Sequence, residues 1–359
     1  DYFTFYNEEE WPYNEEYDGW WGHRTLPKLN YEKSPQLYEY ILNIGRKWVS
    51  PPYNVDGWRL DVAADLGYNE ETNHRFWRDF RAAVKEANPD AIILAEHYAD
   101  PGEWLEGDQW DTVMNYNAFM EPVTWFFTGM EKHSDEHRSD LLGNTQAFLD
   151  SMMYHMSRFQ YPSLLVSMNE LSNHDHSRFL TRTNQTVGRT EFLGPEAADQ
   201  GVNKGILRAA VMLQMTWPGA PTIYYGDEAG VTGWTDPDNR RTYPWGHEDR
   251  ELIEYHRELI RLHKAHKALM TGSLLYLEGA YKVICYGRFD EQEKMVVLIN
   301  GSFDKTKVRV PVWEAGVTEK EDLLRLMMST EGGFTMEQVV CPVRGGVLEI
   351  TLPAISAML

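Results

Sequence analysis

Asp56-Gly57-Trp58-Arg59-Leu60-Asp61-Val62-Ala63 is the stretch on which the fold turns. The run from Val55 to Ala63 reads as a buried strand, with Asp61 at its C-terminal end and Arg59 on the same face two residues earlier. Ahead of it, Leu37, Ile41, Ile44 and Trp48 recur at helical spacing, and Pro51-Pro52 ends that helix. Behind it, Phe76, Phe80 and Val84 mark a second helix closed by Asn88-Pro89-Asp90, and Ala91 to Ala95 forms the next strand.

The alternation continues along the chain. Thr112-Val113-Met114 is a short strand candidate, and a helix through Phe148, Met152 and His155 leads past Pro162 to a strand at Leu164-Leu165-Val166. A helix from Ile206 to Met215 then precedes the strand Thr222-Ile223-Tyr224-Tyr225. Apolar strands separated by helices imply a parallel sheet covered on both faces. After a helix carrying Leu252, Leu259 and Ile260 the character changes. From Gly272 onward, strands such as Val283–Tyr286 and Met295–Ile299 alternate with Gly, Asp and Asn turns, as in an antiparallel domain.

A chain of 359 residues, 42% hydrophobic, can bury one large core and a smaller domain. The net charge of −21 argues against nucleic acid or an anionic membrane surface as partner, because both need a basic patch. No apolar run approaches the roughly 18 residues of a membrane span. The two cysteines, Cys285 and Cys341, form neither a disulfide framework nor a metal-ligand spacing and read as buried thiols. The 13 Trp and 20 Tyr supply flat apolar faces suited to sugar rings, or simply a well-packed core. The acidic run Glu8-Glu9-Glu10 reads as solvated surface.

Three carboxylates fall just beyond three of the proposed strands: Asp61, then Glu96 in Ile93-Leu94-Ala95-Glu96-His97, then Asp175 in Asn173-His174-Asp175. A strand-end carboxylate paired with an Arg, or a helix-capping Asp, accounts for any one of them alone. The three together lie on the edge where parallel α/β folds gather catalytic groups.

These segments resemble the signature regions of the α-amylase family of glycoside hydrolases. Gly57-Trp58-Arg59-Leu60-Asp61 matches the nucleophile strand, Glu96 the general acid, and His174-Asp175 the pair that grips the sugar and steadies the transition state. Leu26-Pro27-Lys28-Leu29-Asn30 resembles the domain B motif of the neopullulanase and cyclomaltodextrinase branch, and Gly219–Glu228 with Asp236-Pro237-Asp238-Asn239-Arg240 resembles the last barrel strand and its loop.

The resemblance implies a (β/α)8 TIM barrel of which strands 4–8 are present, followed by an antiparallel β-sandwich. Residues 1–30 would end a domain B-like insertion, 31–268 would form the five-strand part of the catalytic barrel, and 269–359 the β-domain. The family's Asp-x-x-x-Asn-His motif and first three strands lie upstream of the point where this sequence opens, Asp1-Tyr2-Phe3, without an initiator Met. The missing strands are expected from a second fragment, or the piece should self-associate through its open edges.

By the same resemblance Asp61 attacks the anomeric carbon, and Glu96 protonates the leaving oxygen and then activates water. Asp61 must then be ionised and Glu96 protonated when substrate arrives. Arg59, His174, Asp236 and Arg240 would bind substrate, with His97 and Asp65 beside the acceptor-side sugar and Trp21 a further substrate contact. Trp20 and Trp21 read equally as a stacking platform or as core, and Glu228 as a structural strand-end group. The expected substrate is an α-1,4-linked glucan, with α-1,6 bonds tolerated, such as starch, maltooligosaccharides or cyclodextrins. A transglycosylase with the same carboxylates, and a non-catalytic glucan-binding or partner protein or an inactive truncated fragment on the same fold, are the competing readings. No cofactor is required; some relatives bind calcium, for which the sequence assigns no ligands. The low cysteine content leans to the cytoplasm, with export left open.

Overall fold

A computed structural model describes residues 2–9 and 12–359, which form two compact units, one ending at Met114 and one running Asn115–Leu359. Glu10 of the acidic run lies outside the described residues, while Glu8 and Glu9 are exposed.

In the first unit, helix α1 (Pro35–Val49) starts where the Ser34 hydroxyl accepts the Leu37 N–H, with Pro35 at its first position. Its buried face is Leu37, Leu42, Gly45 and Val49, one step round from the stripe expected. Ile41 and Ile44 line an open groove of about 690 Å³ with Trp58, Leu60, Phe76 and Phe80, and Trp48 is exposed. The phase differs because Gly45 admits the Phe80 ring, where a Cβ would stand 2.8 Å from a ring carbon.

Strand β1 (Gly57–Leu60) is shorter than the run 55–63. Helix α2 (Glu70–Ala87), capped by Asn69, buries the expected Phe76, Phe80 and Val84 and adds Trp77 and Ala83. Strands β2 (Ile92–Ala95) and β3 (Thr112–Val113) complete a parallel sheet in the order β1-β2-β3.

The second unit opens with α3 (Glu121–Thr128), α4 (Thr145–Met156) and α5 (Tyr161–Leu165). The strand expected at Leu164–Val166 is therefore corrected: Leu164 and Leu165 end α5, and β4 is Met168–Glu170. A short apolar run cannot be assigned by periodicity, and Pro162 in the first turn favours the helix. After the short helices α6 (Phe179–Arg182) and α7 (Thr190–Leu193) comes α8 (Lys204–Thr216), buried on every side except at Lys204. Strand β5 (Ala220–Thr222) pairs in parallel with β4, so Tyr224 and Tyr225 fall beyond it in the following loop.

Helices α9 (Arg250–Ala265) and α10 (Lys267–Thr271) lead into an antiparallel region. Its strands are β6 (Ser273–Tyr276), β7 (Val283–Phe289), β8 (Lys294–Asn300), β9 (Thr306–Val310), β10 (Leu323–Arg325), β11 (Met328–Thr330), β12 (Gly333–Thr335), β13 (Val339–Cys341), β14 (Val343–Arg344), β15 (Val347–Leu352) and β16 (Ser356–Met358). Six of them form the sheet β12-β11-β16-β8-β7-β6, and β14-β15-β9 and β10-β13 are separate.

Strand β7 shows how the period of two builds this region. Ile284 and Tyr286 pack into the helical core with Met212, Leu213 and Trp217, while Val283 and Cys285 face Val308, Val310 and Leu348. Both faces are thus buried, which is why the strand reads as an unbroken apolar run. Cys285 and Cys341 are free thiols, and burial pushes the Cys285 thiol up to about 12. Among the described residues no helix is long and apolar enough to cross a membrane.

Candidate active site

The register Leu60↔Ala95 sets the next residue of each strand, Asp61 and Glu96, side by side at the C-terminal edge of the first sheet. Arg59 points the same way as Asp61, as the two-residue spacing requires, and its guanidinium holds both acids. One arm pairs with Asp61 Oδ1, and the other stands 3.0 Å from Glu96 Oε2.

The two carboxylates differ sharply in surroundings. The Glu96 side chain is 6% exposed and accepts the Val62 N–H at 3.1 Å, whereas the Asp61 side chain is 78% exposed. Val62 itself adopts φ 42°, a left-handed conformation that a β-branched residue rarely tolerates, so the backbone turns sharply between the two acids. One guanidinium thus links an open carboxyl group to a sheltered one.

Asp65 is occupied differently from expectation. Its Oδ2 accepts the indole N–H groups of Trp20 and Trp21 at 3.0 and 2.8 Å. The Trp21 ring is exposed, so the core reading fails for it, and it borders a cavity of about 430 Å³ with Trp20, Tyr68 and Trp104. His97 is corrected. Its ring packs against Trp104 and Trp110, and its Nε2 is shut off from solvent.

In the second unit, His174, Asp175, Asp236 and Arg240 come together. Asp175 Oδ1 stands 3.6 Å from His174 Nε2 and 3.9 Å from Arg240 Nη2, and Arg240 also pairs with Asp236. The loop that presents them is held from behind. Asn173 Oδ1 accepts the backbone N–H groups of Asp175 and His176, and the Asp175 carbonyl accepts the Asp236 N–H and the Thr235 hydroxyl.

Asn239, fully buried, donates its amide hydrogens to the carbonyls of Asn173 (3.1 Å) and His176 (2.7 Å), one on each side of His174-Asp175. Sequence reading passed over Asn239 and Arg178 as site residues. Asn239 lay inside a quoted motif, but a buried amide that holds carbonyls looks in sequence like any loop polar residue. Asn239→Ala should lower kcat/KM about 10²-fold through misplacement of Asp175. The check is kinetics alongside a thermal midpoint, since a shared fall in both would indicate unfolding instead. Glu228 caps its own turn, accepting the Gly226 N–H at 2.8 Å.

His176, next to Asp175, is fully buried against Tyr116 and His133. Burial, with Arg182, His133, Lys132 and His174 adding to it, pushes its pKa down to about 2. The unfolded chain binds a proton near pH 6.5 that the folded one refuses, so stability is full above pH 6.5 and declines as pH falls toward 2. At pH 5 this one group should lower stability by about 2 kcal/mol relative to pH 7. Urea unfolding at both pH values should show that loss, and His176→Asn should reduce the difference.

Among the described residues, two clusters have metal-ligating types within reach of one another: Glu131, His133 and Asp135, and Glu70, His74 and Glu103. In the first, Arg189 grips Asp135 with both arms. Burial tends to raise the Glu131 pKa, but bonds from the His133 ring and from the His133 and Asp135 backbone N–H groups outweigh it and hold the carboxyl at about 2.

The family model for the α-amylase catalytic domain matches residues 1–329. The chain belongs to the α-amylase family. It is 36% identical over 298 residues to neopullulanase 2 of Thermoactinomyces vulgaris, covering 81% of this chain and 44% of that protein. It is also 36% identical over 288 residues to a Bacillus cyclomaltodextrinase, covering 79% and 45%. The chain thus spans under half the length of these curated relatives. Among solved structures, a Nostoc punctiforme debranching enzyme superposes with a TM-score of 0.79 at 28% identity, over 99% of this chain and 68% of that one. A cyclomaltodextrinase structure superposes with a TM-score of 0.77 at 29% identity, over 100% and 54%. The resemblance to this family and to its neopullulanase and cyclomaltodextrinase branch is therefore borne out.

Proposed function

We propose that this α-amylase family chain carries the catalytic carboxylates of a retaining hydrolase of α-1,4-glucosidic bonds, with α-1,6 bonds also accepted. Its substrates are starch-like glucans, maltooligosaccharides and cyclodextrins, the class named in its relatives. The observation that carries this reading is the single Arg59 guanidinium holding Asp61 and Glu96 at the ends of adjacent parallel strands.

Asp61 is the nucleophile, open to the approaching anomeric carbon and oriented by its pairing with Arg59. Glu96, sheltered and fixed by the Val62 N–H, delivers a proton to the glycosidic oxygen as the covalent glucosyl-enzyme forms. It then takes a proton from the water that releases the sugar. Asp175 and His174 bind sugar hydroxyls more tightly as the ring flattens, which favours the transition state over bound substrate. Asp236 and Arg240 hold a donor-side sugar.

The test is the anomeric form of the first product, followed by proton NMR during cleavage of maltotriose or a cyclodextrin. Retention releases the α-anomer, which mutarotates only afterwards. Initial release of the β-anomer overturns the reading.

A further inference from the structure

We propose that Glu170 is a positioning residue for glucan cleavage: it touches no sugar, but it fixes the Asn173 amide that sets the backbone of Asp175. The inference rests on the role given above to Asp175 and extends it to the residue that keeps Asp175 in place. Strand β4 ends at Glu170, and Leu171-Ser172-Asn173 carries the chain from there to His174-Asp175. Glu170 is 1% exposed, so substrate does not reach it. An apolar side chain would serve the core at that depth. A buried carboxyl group costs desolvation that Leu or Val would not, and such groups persist where they meet hydrogen-bond donors.

Asn173, itself buried, is the donor. Its Nδ2 donates to Glu170 Oε1 at 2.7 Å, against 3.4 Å to the Tyr116 hydroxyl. Its Oδ1 accepts the N–H of Asp175 at 2.9 Å and that of His176 at 3.1 Å. Two backbone N–H groups can meet only the oxygen of the amide, so its nitrogen must be the atom that faces Glu170. The bond asks only for an oxygen acceptor, and it forms with either protonation state of Glu170. One amide plane thus ties the end of β4 to the backbone of Asp175.

Asn239 grips the same loop by its carbonyls, which leaves the Asn173 amide free to turn about its own soft terminal torsion. Glu170 stops that turn. Without it, the contact left to the amide nitrogen among the described residues is the long one to Tyr116. A half-turn would then set the amide hydrogens against the N–H groups of Asp175 and His176. The segment behind cannot absorb the disturbance, because the Ser172 hydroxyl accepts the Phe179 N–H at 2.9 Å and buried Arg182 donates to the Leu171 carbonyl. The displacement passes forward to Asp175. A group that binds the transition state more tightly than the substrate then loses kcat before KM.

The test is a double-variant cycle in the full chain on maltotriose, with hydrogen exchange read alongside. Glu170→Leu should lower kcat roughly 10–100-fold while KM moves less than about threefold. Glu170→Gln keeps an oxygen for the Asn173 N–H and should stay within about threefold of the unsubstituted protein. In an Asp175→Asn background, Glu170→Leu should cost no more than about twofold further, because the carboxylate it places is gone. Exchange should quicken in the peptide 171–177 of Glu170→Leu and stay unchanged in β7. Should Glu170→Leu fail to fold, Asn173→Ala breaks the same link from the loop side, and its loss should likewise vanish in the Asp175→Asn background. Unchanged exchange over 171–177, or an equal loss in both backgrounds, makes Glu170 a merely structural residue and overturns the proposal. Full activity of Asp175→Asn would instead sink the role given to Asp175, and exchange would still decide whether Glu170 holds the loop.

Discussion

Asp61→Asn should lower kcat/KM on maltooligosaccharides by roughly 10⁴–10⁶-fold, the scale seen when a covalent nucleophile is removed. An amide cannot form the glucosyl ester, and nothing on β1 replaces it. The fold should be indifferent. Asp61 is 78% exposed, and an ion pair so open contributes at most about 1 kcal/mol, so the unfolding midpoint should hardly move. Glu96→Gln should behave differently. It keeps an oxygen for the Val62 N–H but has no proton to give, and its loss should be roughly 10²–10⁴-fold on natural glucans.

That second loss should shrink on aryl glucosides with a good leaving group, which depart without protonation. The Asp61→Asn loss should persist on them, because the nucleophile is needed whatever leaves. If both variants respond alike to the leaving group, or if Asp61→Asn stays within tenfold of the unsubstituted protein, the assigned roles are wrong.

Why Asp61 and Glu96 could be read from sequence while Asn239 could not is a matter of locality. A strand has a period of two, so Arg59 and Asp61 had to share a face, and the parallel register then brought Glu96 level with them. The shared face needs only neighbours in the chain, and each acid could be placed at its own strand's end. The register that sets them side by side came from the structure. The misassigned strand at Leu164–Val166 failed for want of context, since three apolar residues fit helix and strand alike. The phase of α1 depended on Gly45 meeting Phe80 of another helix. His97 was expected to reach a sugar because it adjoins Glu96, yet the Trp104 and Trp110 rings, which no local pattern ties to it, claim its ring. Asn239 acts on carbonyls more than sixty residues away, and no local pattern announces that.

Asp227→Leu should lower stability by about 3–5 kcal/mol, the range for breaking one side of a buried ion pair. Arg178 shows no side-chain exposure and Asp227 only 8%, with Nη1 of the arginine 2.9 Å from Asp227 Oδ1. The same guanidinium donates to the Tyr225 carbonyl at 2.6 Å and to the Asn239 carbonyl at 2.9 Å, and its carbon lies 4.1 Å from the Tyr224 ring centre. Carbonyls and an aromatic face ease a buried cation but do not neutralise it. Without the carboxylate the charge stays enclosed, and Arg178 can escape only by releasing Asn239, so catalysis should fall together with stability.

The double variant Arg178→Met, Asp227→Leu separates charge from shape. Removing both ions removes the uncompensated charge, so the double variant should be more stable than Asp227→Leu alone. Catalysis should not recover with it, because Asn239 still lacks its tether. By contrast Arg309→Ala, which breaks an exposed pair with Glu349, should cost under about 1 kcal/mol. Urea unfolding of all three variants gives the comparison. If Asp227→Leu costs no more than Arg309→Ala, the ion pair does not hold this loop, and the tether from Arg178 through Asn239 to Asp175 loses its physical basis.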